Sequence, residues 1–351
     1  AAEIRLPEAL DEKLLCPFHY FGVADPIAIN DDKFWIKGKY DASALENVYI
    51  FDTALAEKRV NTIINALHHY EPDIANVKGI GFCITIRHAE FMSKKFTESG
   101  IPSGAFVSGI DNNKSQELLS NLKNGQLKFL FTVDRLSEGI DIPEINTVLF
   151  LRPTDSLTVF LQQLGRGLRH SPGKEALTVL DFVGQVHRNY HIELKFRSLL
   201  PRYRFSMEKE VELEFPHLPA GCSIQLDRVS REYVLRNIRE SVRNLATHIP
   251  DKLSTFKNET GQEPTFGNFV DYYGFEPEVL LVRETWTGWK AKAKLASVPN
   301  EPDIQRLKAA LIRATFINGT VETKLLKDVL ENILKGDINN AIKLSGIYLM
   351  L

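Results

Sequence analysis

The sequence predicts an α/β fold: a parallel β-sheet with helices on both faces over about residues 1–200, then a mostly α-helical domain over 201–351. Three observations predict it. Short apolar runs rich in β-branched and aromatic residues recur at 79–86, 105–107, 127–133, 147–151 and 177–183, as strands buried on both faces require. Amphipathic helical segments alternate with them. After about Val186 the apolar runs give way to charged, helix-patterned sequence. A length of 351 residues with 44% hydrophobic content is enough for about two buried cores.

Taken in order, residues 16–23 alternate loosely and are rich in aromatics, which reads as a first strand. Residues 31–40 form a polar loop around Phe34 and Trp35. Residues 52–70 read as a helix with Leu55, Ile63, Ile64 and Leu67 in its apolar stripe and Lys58 and Arg59 outside it. His68 and His69 close that helix; being adjacent, they do not share a helical face, which argues against a metal pair. After the strand at 79–86 comes a helix at 87–99, with Ala89, Met92 and Phe96 on one face and Gly100 as its stop. A helix at 114–123 turns Leu118, Leu119 and Leu122 inward before Gly125 ends it. A helical run around 157–164 separates the strands at 147–151 and 177–183. Thr85, Ser108, residues 132–141 and the helix after the 147–151 strand all follow strand ends, where open α/β sheets place their ligands.

The second part offers patterns with two readings each. Arg188, Lys195, Arg197, Arg202 and Arg204 interleave with Tyr190, Phe196, Tyr203 and Phe205. That mixture tracks a phosphate backbone and stacks bases, or it is a solvated amphipathic helix. Pro216, Pro219 and Gly221 mark a break. Residues 227–245 form a helix whose Arg228, Arg236, Arg239 and Arg243 lie along a nucleic-acid backbone or on a charged surface with Glu232 and Glu240. Residues 265–282 read as two short helices around Gly274, a helix-turn-helix or plain packing. Residues 303–351 are helical and carry no nameable chemistry.

The chemistry concentrates at 127–170. Residues 134–141 supply acids, an arginine and a glycine where a buried strand hands over to a loop. Further on stands Gln162-x-x-Gly165-Arg166-x-x-Arg169. Two arginines three apart share a helical face, and each presents a planar fork of donors that matches phosphate oxygens. Alone, the pair also reads as a basic helix end favoured by the macrodipole. It is preceded by T-x-D-x-x-x-x-G-x-D-x-P, namely Thr132, Asp134, Gly139, Asp141 and Pro143. Upstream, Gly81-Phe82-Cys83-Ile84-Thr85 is followed by His88-Ala89. These three segments, in this order and spacing, resemble motifs IV, V and VI of superfamily 2 (DEAD/DEAH-type) helicases and translocases. The wording of 131–143 and 159–169 is similar to the bacterial DEAH-type branch that includes type I restriction translocases.

The resemblance implies a RecA-like domain, the second of the two in such a motor. It implies ATP and Mg²⁺ as cofactors, nucleic acid as partner, and DNA rather than RNA. Arg169 would be the arginine finger, with Arg166 beside it on the phosphates. Gln162 would line the nucleotide cleft, Gly139 would allow close approach there, and Asp141 would bind the ribose or support the cleft. Thr85, His88, Ser108 and Thr132 would face the nucleic-acid track. Val133 stands where DEAD-box proteins have a threonine, with Thr132 one position earlier.

What is missing shapes the expectation as much. No G-x-x-x-x-G-K-[ST] loop occurs; Gly173-Lys174 continues as Glu175. No D-E-x-H or D-E-x-D motif occurs either; Asp11-Glu12 continues as Lys13-Leu14. The reading is therefore the C-terminal half of an ATP-dependent helicase or translocase, with the nucleotide held mainly by a first RecA-like domain and the chain inactive alone. The alternative is a non-enzymatic nucleic-acid or protein-binding module. A net charge of −2 excludes a globally basic binder. Three scattered cysteines, Cys16, Cys83 and Cys222, indicate neither zinc nor a disulfide framework. With no signal-peptide pattern and no apolar run of about 18 residues, the expectation is a cytoplasmic protein without a membrane span.

Overall fold

Apolar runs without polar alternation become the inner strands of one sheet. The computed structural model describes residues 4–133, 142–154, 156–201, 207–273, 280 and 284–297. The sheet has seven strands: β1 (Phe18–Ala24), β4 (Gly79–Phe82), β5 (Ser103–Ala105), β6 (Phe129–Thr132), β7 (Thr147–Phe150), β8 (Leu177–Val183) and β9 (Ser223–Leu226). Their order is β5-β6-β4-β7-β8-β1-β9 and every pairing is parallel. β4, β6 and β7 are buried at every position, as strands covered on both faces must be. A separate two-stranded hairpin, β2 (Trp35–Ile36) with β3 (Lys39–Tyr40), lies within the predicted polar loop.

Alternating side chains send apolar surface to both faces. On one face Phe129, Phe131, Leu149 and Leu180 pack with Val60, Ile63 and Leu67 of α3 (Thr53–Tyr70) and with Ala89, Met92 and Phe96 of α4 (Ile86–Glu98). On the other, Ile80, Leu130, Val148 and Phe150 meet Leu122 of α5 (Asn112–Lys123), Phe160 and Leu164 of α6 (Leu157–Gly167), and Phe196 of α7 (Glu193–Leu199). Each fully buried ring contributes about 1.5–3 kcal/mol. The crossover helices begin on side-chain caps: Asp52 for α3, Thr85 for α4, Asp111 for α5 and Ser156 for α6. Short helices α1 (Leu6–Asp11), α2 (Ala42–Glu46) and α8 (Met207–Glu212) complete the set before α9 (Arg228–Thr260), whose Val234 and Ile238 join the second core.

By internal contacts the chain divides into Ala1–Ser241 and Val242–Leu351. In the second unit, Ile249, Leu253 and Phe256 of α9 form a core with Phe269 and Tyr273 of α10 (Phe266–Tyr273) and Trp289 of α11 (Trp286–Lys292). Trp289 Nε1 donates to Leu280 O at 3.0 Å. The turn predicted at Gly274 lies outside the described residues.

The structure departs from the sequence expectation at several points. The strand predicted at 105–107 is Ser103–Ala105, although Phe106 N still donates to Phe131 O (2.8 Å). Arg59, read as outside the apolar stripe, is 2% exposed. Lys195, read as a phosphate contact or a solvated residue, is buried with its Nζ on Asp181 (2.8 Å). Arg188 pairs with Asp32 at 3.2 Å, whereas Arg202, Tyr203, Arg204 and Phe205 lie outside the described residues. On α9, Arg239 bonds Glu208 at 2.6 Å and Arg228 pairs with Glu232 at 3.6 Å.

Candidate functional site

The predicted site residues separate onto two edges of the sheet. β5, β6 and β4 are neighbours, and their carboxyl ends bring Ser108, Thr132 and Thr85 to one edge. Ser108 is exposed and Thr85 is half-buried, with its Oγ1 accepting from His88 N (3.2 Å) as the α4 cap. Thr132 is fully buried, and its Oγ1 has no hydrogen-bond partner among the described residues. His88 is also fully buried, so neither it nor Thr132 offers side-chain surface to a ligand.

His88 belongs instead to a buried charged cluster under that edge. Arg59 reaches it from α3: Nε donates to Asp25 Oδ2 at 2.7 Å and NH2 to Leu151 O at 2.9 Å. NH1 lies 3.4 Å from His88 Nε2, and the guanidinium sits 4.0 Å from the centroid of Tyr49. Asp25 Oδ1 accepts from Ile27 N at 2.9 Å. The cluster ties the carboxyl end of β1, the first turn of α4 and the residue after β7 to one helix. Burial holds the His88 pKa well below the ordinary imidazole value, and the neighbouring Arg59 charge adds to the effect. Burial likewise raises the Tyr49 hydroxyl well above its usual range.

α6 carries the arginines away from that edge. It starts at the Ser156 cap and runs back, so that its 11 residues span about 16 Å. At its far end Cys16 N donates to Leu168 O (2.8 Å), and Leu177 N donates to Pro17 O (2.9 Å). Cys16, Pro17 and Leu177 are where β1 and β8 begin. Arg166 and Arg169 therefore lie at the amino edge, not in the carboxyl-end crevice that strand order alone suggested.

Gln162, Arg166 and Arg169 are spaced four and three apart, the spacing of one helical stripe, although Arg169 lies past the last helical residue. Gln162 is exposed and both arginines are half-buried. The two glycines between them differ in kind. A Cβ on Gly167 would strike Leu177 Cδ1 at 2.4 Å, so packing on β8 requires its absence. A Cβ on Gly165 would meet nothing within 4 Å. Gln163, next to the predicted Gln162, is fully buried with both amide atoms unpartnered among the described residues. Gly139 and Asp141 lie outside the described residues.

The backbone around the arginines is pinned by a residue that carried no signal in the sequence. Lys174 Nζ donates to Gly167 O (2.5 Å), Arg169 O (2.9 Å) and Pro143 O (3.2 Å). A lone lysine in a loop matches no motif, and only the fold brings those three carbonyls together. Among the described residues, no group of three or more His, Cys, Asp or Glu side chains is placed to hold a metal ion. No described helix is long and apolar enough to cross a membrane.

Residues 59–171 match the helicase conserved C-terminal domain. A 51.5 kDa protein of a Lactococcus phage is 28% identical over 171 residues, 48% of this chain and 35% of that protein. IRC3 of Saccharomyces cerevisiae, which carries the name of an ATP-dependent helicase, is 25% identical over 178 residues, 50% of this chain and 25% of that one. UvrABC system protein B of Tropheryma whipplei is 30% identical over 190 residues, 48% of this chain and 27% of that one. The chain thus spans between a quarter and about a third of the length of these relatives. Over residues 59–171 the chain therefore carries a helicase C-terminal domain of the superfamily 2 type.

Proposed function

We propose that the chain is the second motor half of an ATP-dependent DNA helicase or translocase of the DEAH type. Its part is to supply arginines to a nucleotide cleft and residues to a nucleic-acid track. The observation that supports this reading is the spacing of Gln162, Arg166 and Arg169 along one stripe at the end of α6, beside Gly165, where a Cβ would meet nothing within 4 Å, on a backbone held at several points. A first RecA-like domain would hold ATP and Mg²⁺, which supply the phosphoryl group and its charge neutralisation. Cleft closure then brings Arg169, with Arg166 beside it, against the charge that develops during phosphoryl transfer. Gln162 borders the cleft on the same stripe; the roles that the resemblance implies for Gly139 and Asp141 lie outside the described residues. Without that first domain the chain does not turn over ATP.

The track lies at the opposite edge. Of the residues predicted for it, Ser108 and Thr85 have accessible surface, and α4 directs its N-terminus at the same place. His88 acts from beneath, accepting from Ile84 N at 3.3 Å just after β4, and Thr132 is buried below the same edge. Nucleotide chemistry and strand grip are then read at two ends of one rigid sheet, so closure at one end moves the other.

The test is ATP hydrolysis by this chain joined to its nucleotide-holding domain, with single-stranded DNA, duplex DNA, RNA or no nucleic acid. DNA is expected to raise turnover about tenfold or more, and RNA to raise it less, in the manner of a coupled lid closure. Equal rates under all four conditions would remove the motor role and favour the binding module. Stimulation by RNA alone would overturn the DNA assignment.

A further inference from the structure

We propose that Lys174 is a positioning residue for the two arginines: its ammonium gathers the carbonyls of Gly167, Arg169 and Pro143 and so fixes the backbone from which Arg166 and Arg169 project. The inference rests on the proposed role of those arginines. An ammonium has three donors and no acceptor, and here each donor has a carbonyl: Gly167 O at 2.5 Å, Arg169 O at 2.9 Å and Pro143 O at 3.2 Å.

The last carbonyls of a helix have no partner within it and collect partial negative charge. At the end of α6, Gly165 O, Gly167 O and, just past the helix, Leu168 O are taken up by groups from outside the helix or just past its end. Leu168 N donates to Gly165 O (3.4 Å), Cys16 N to Leu168 O (2.8 Å) and Cys16 Sγ to Gly167 O (3.6 Å). Lys174 adds a contact to Arg169 O at 2.9 Å. It is also charge-assisted, hence the stiffest of the set.

Its third acceptor gives the lysine a second function. Pro143 ends the segment that carries Gly139 and Asp141. One ammonium therefore links Pro143 O to the backbone of the arginines. Pro143 and the arginine backbone, more than 20 residues apart in sequence, thus share one anchor just before the start of β8. A neutral side chain at 174 removes the charge-assisted contacts to Gly167 O, Arg169 O and Pro143 O together, and so loosens the backbone on both sides of the anchor.

The test uses Lys174→Met, Lys174→Gln and Lys174→Arg, with Arg169→Ala as reference. In the 351-residue chain, backbone amide exchange is measured at Leu168–His170 and at Glu144–Ile145. In the ATP-hydrolysing protein that contains the chain, kcat and KM for ATP are measured separately. Lys174→Met is expected to speed exchange at both places and to lower kcat by roughly 10²-fold with KM little changed, the cost of a misplaced catalytic group. Lys174→Gln, a milder variant that keeps a donor, is expected to fall between Lys174→Met and wild type. Lys174→Arg keeps the charge but offers a planar fork, which does not converge on three carbonyls, so it restores kcat only in part. A merely structural lysine would lower the folded fraction and leave kcat per folded molecule intact; that result overturns the inference. So does unchanged exchange at both places. If Arg169→Ala turns over ATP normally, the motor reading fails and the positioning role fails with it. If Arg169→Ala is inactive and Lys174→Met is normal, only the positioning role is overturned.

Discussion

Arg169→Ala is expected to lower ATP turnover by about 10³-fold or more in the protein that joins this chain to a nucleotide-holding domain, the scale of an arginine finger. ATP affinity should change by no more than about twofold, because an interaction made only in the transition state affects kcat and not ground-state binding. Single-turnover hydrolysis and a fluorescent-nucleotide titration separate the two. Arg169→Lys should not rescue the rate, since a point charge does not reproduce a bidentate fork. Arg166→Ala should lower the rate by a smaller factor, as a residue beside the finger. Turnover of Arg169→Ala within about twofold of wild type would take this arginine out of the chemistry.

Arg59→Met is expected to destabilise the first unit by about 3–5 kcal/mol, the usual cost of leaving a buried carboxylate without its cation. Asp25 is 6% exposed, and with Arg59 gone the contacts of its carboxylate with described groups reduce to the Ile27 amide. Urea denaturation followed by tryptophan fluorescence would measure the loss. The double variant Asp25→Leu/Arg59→Met should recover most of it, because an apolar pair in place of a buried ion pair is often neutral. A loss below about 1 kcal/mol in the single variant would mean that water reaches Asp25 and the cluster is not sealed.

The same cluster gives a pH dependence with a fixed sign. His88 is held neutral in the fold, by burial first and by the Arg59 charge second. In the unfolded chain it takes a proton near pH 6.5. The unfolded state therefore binds more protons below that pH, so stability is present above about pH 6.5 and is lost as pH falls, by up to about 1.4 kcal/mol per unit. Urea midpoints between pH 7.5 and 5.5 should fall less steeply for His88→Asn than for wild type, over a window of about two units. Parallel slopes would show that His88 takes its proton in the folded state as well.

How much of this was legible in the sequence depends on where the cause lies. β8 was predicted at 177–183 and is Leu177–Val183, because a run of seven residues in a buried strand has no other use for its apolar side chains. β6 and β7 came within one or two residues for the same reason. α4 begins one residue earlier than predicted, at the Thr85 cap. β9 was not legible: Ser223–Leu226 is four residues at a sheet edge, and its partner β1 lies some two hundred positions away.

Arg59 shows a different limit. Helical periodicity registers apolar residues only, so an arginine among Leu55, Ile63 and Leu67 reads as surface. Its burial depends on Asp25, Leu151 and His88, which the fold assembles from three other places. Lys195 repeats the case with Asp181, to which the Tyr20 hydroxyl also donates. At the site, the placing of Gln162 and Arg166 on one helical stripe was legible, with Arg169 just past its end. Their edge was not, because strand order says where a helix starts and only its length says where it ends. Lys174 was invisible for the reason that gives it interest: its three acceptors are backbone carbonyls, and any residue type can provide those.

The most direct measurement of the central claim is ATP hydrolysis by the 351-residue chain alone beside the same chain joined to a RecA-like domain that carries a phosphate-cradling loop. The account predicts no turnover above buffer for the chain alone, and nucleic-acid-dependent turnover that requires Arg169 once the two are joined. Turnover by the isolated chain at the rate of the joined protein would contradict it, since some loop within these residues would then be holding the triphosphate by itself.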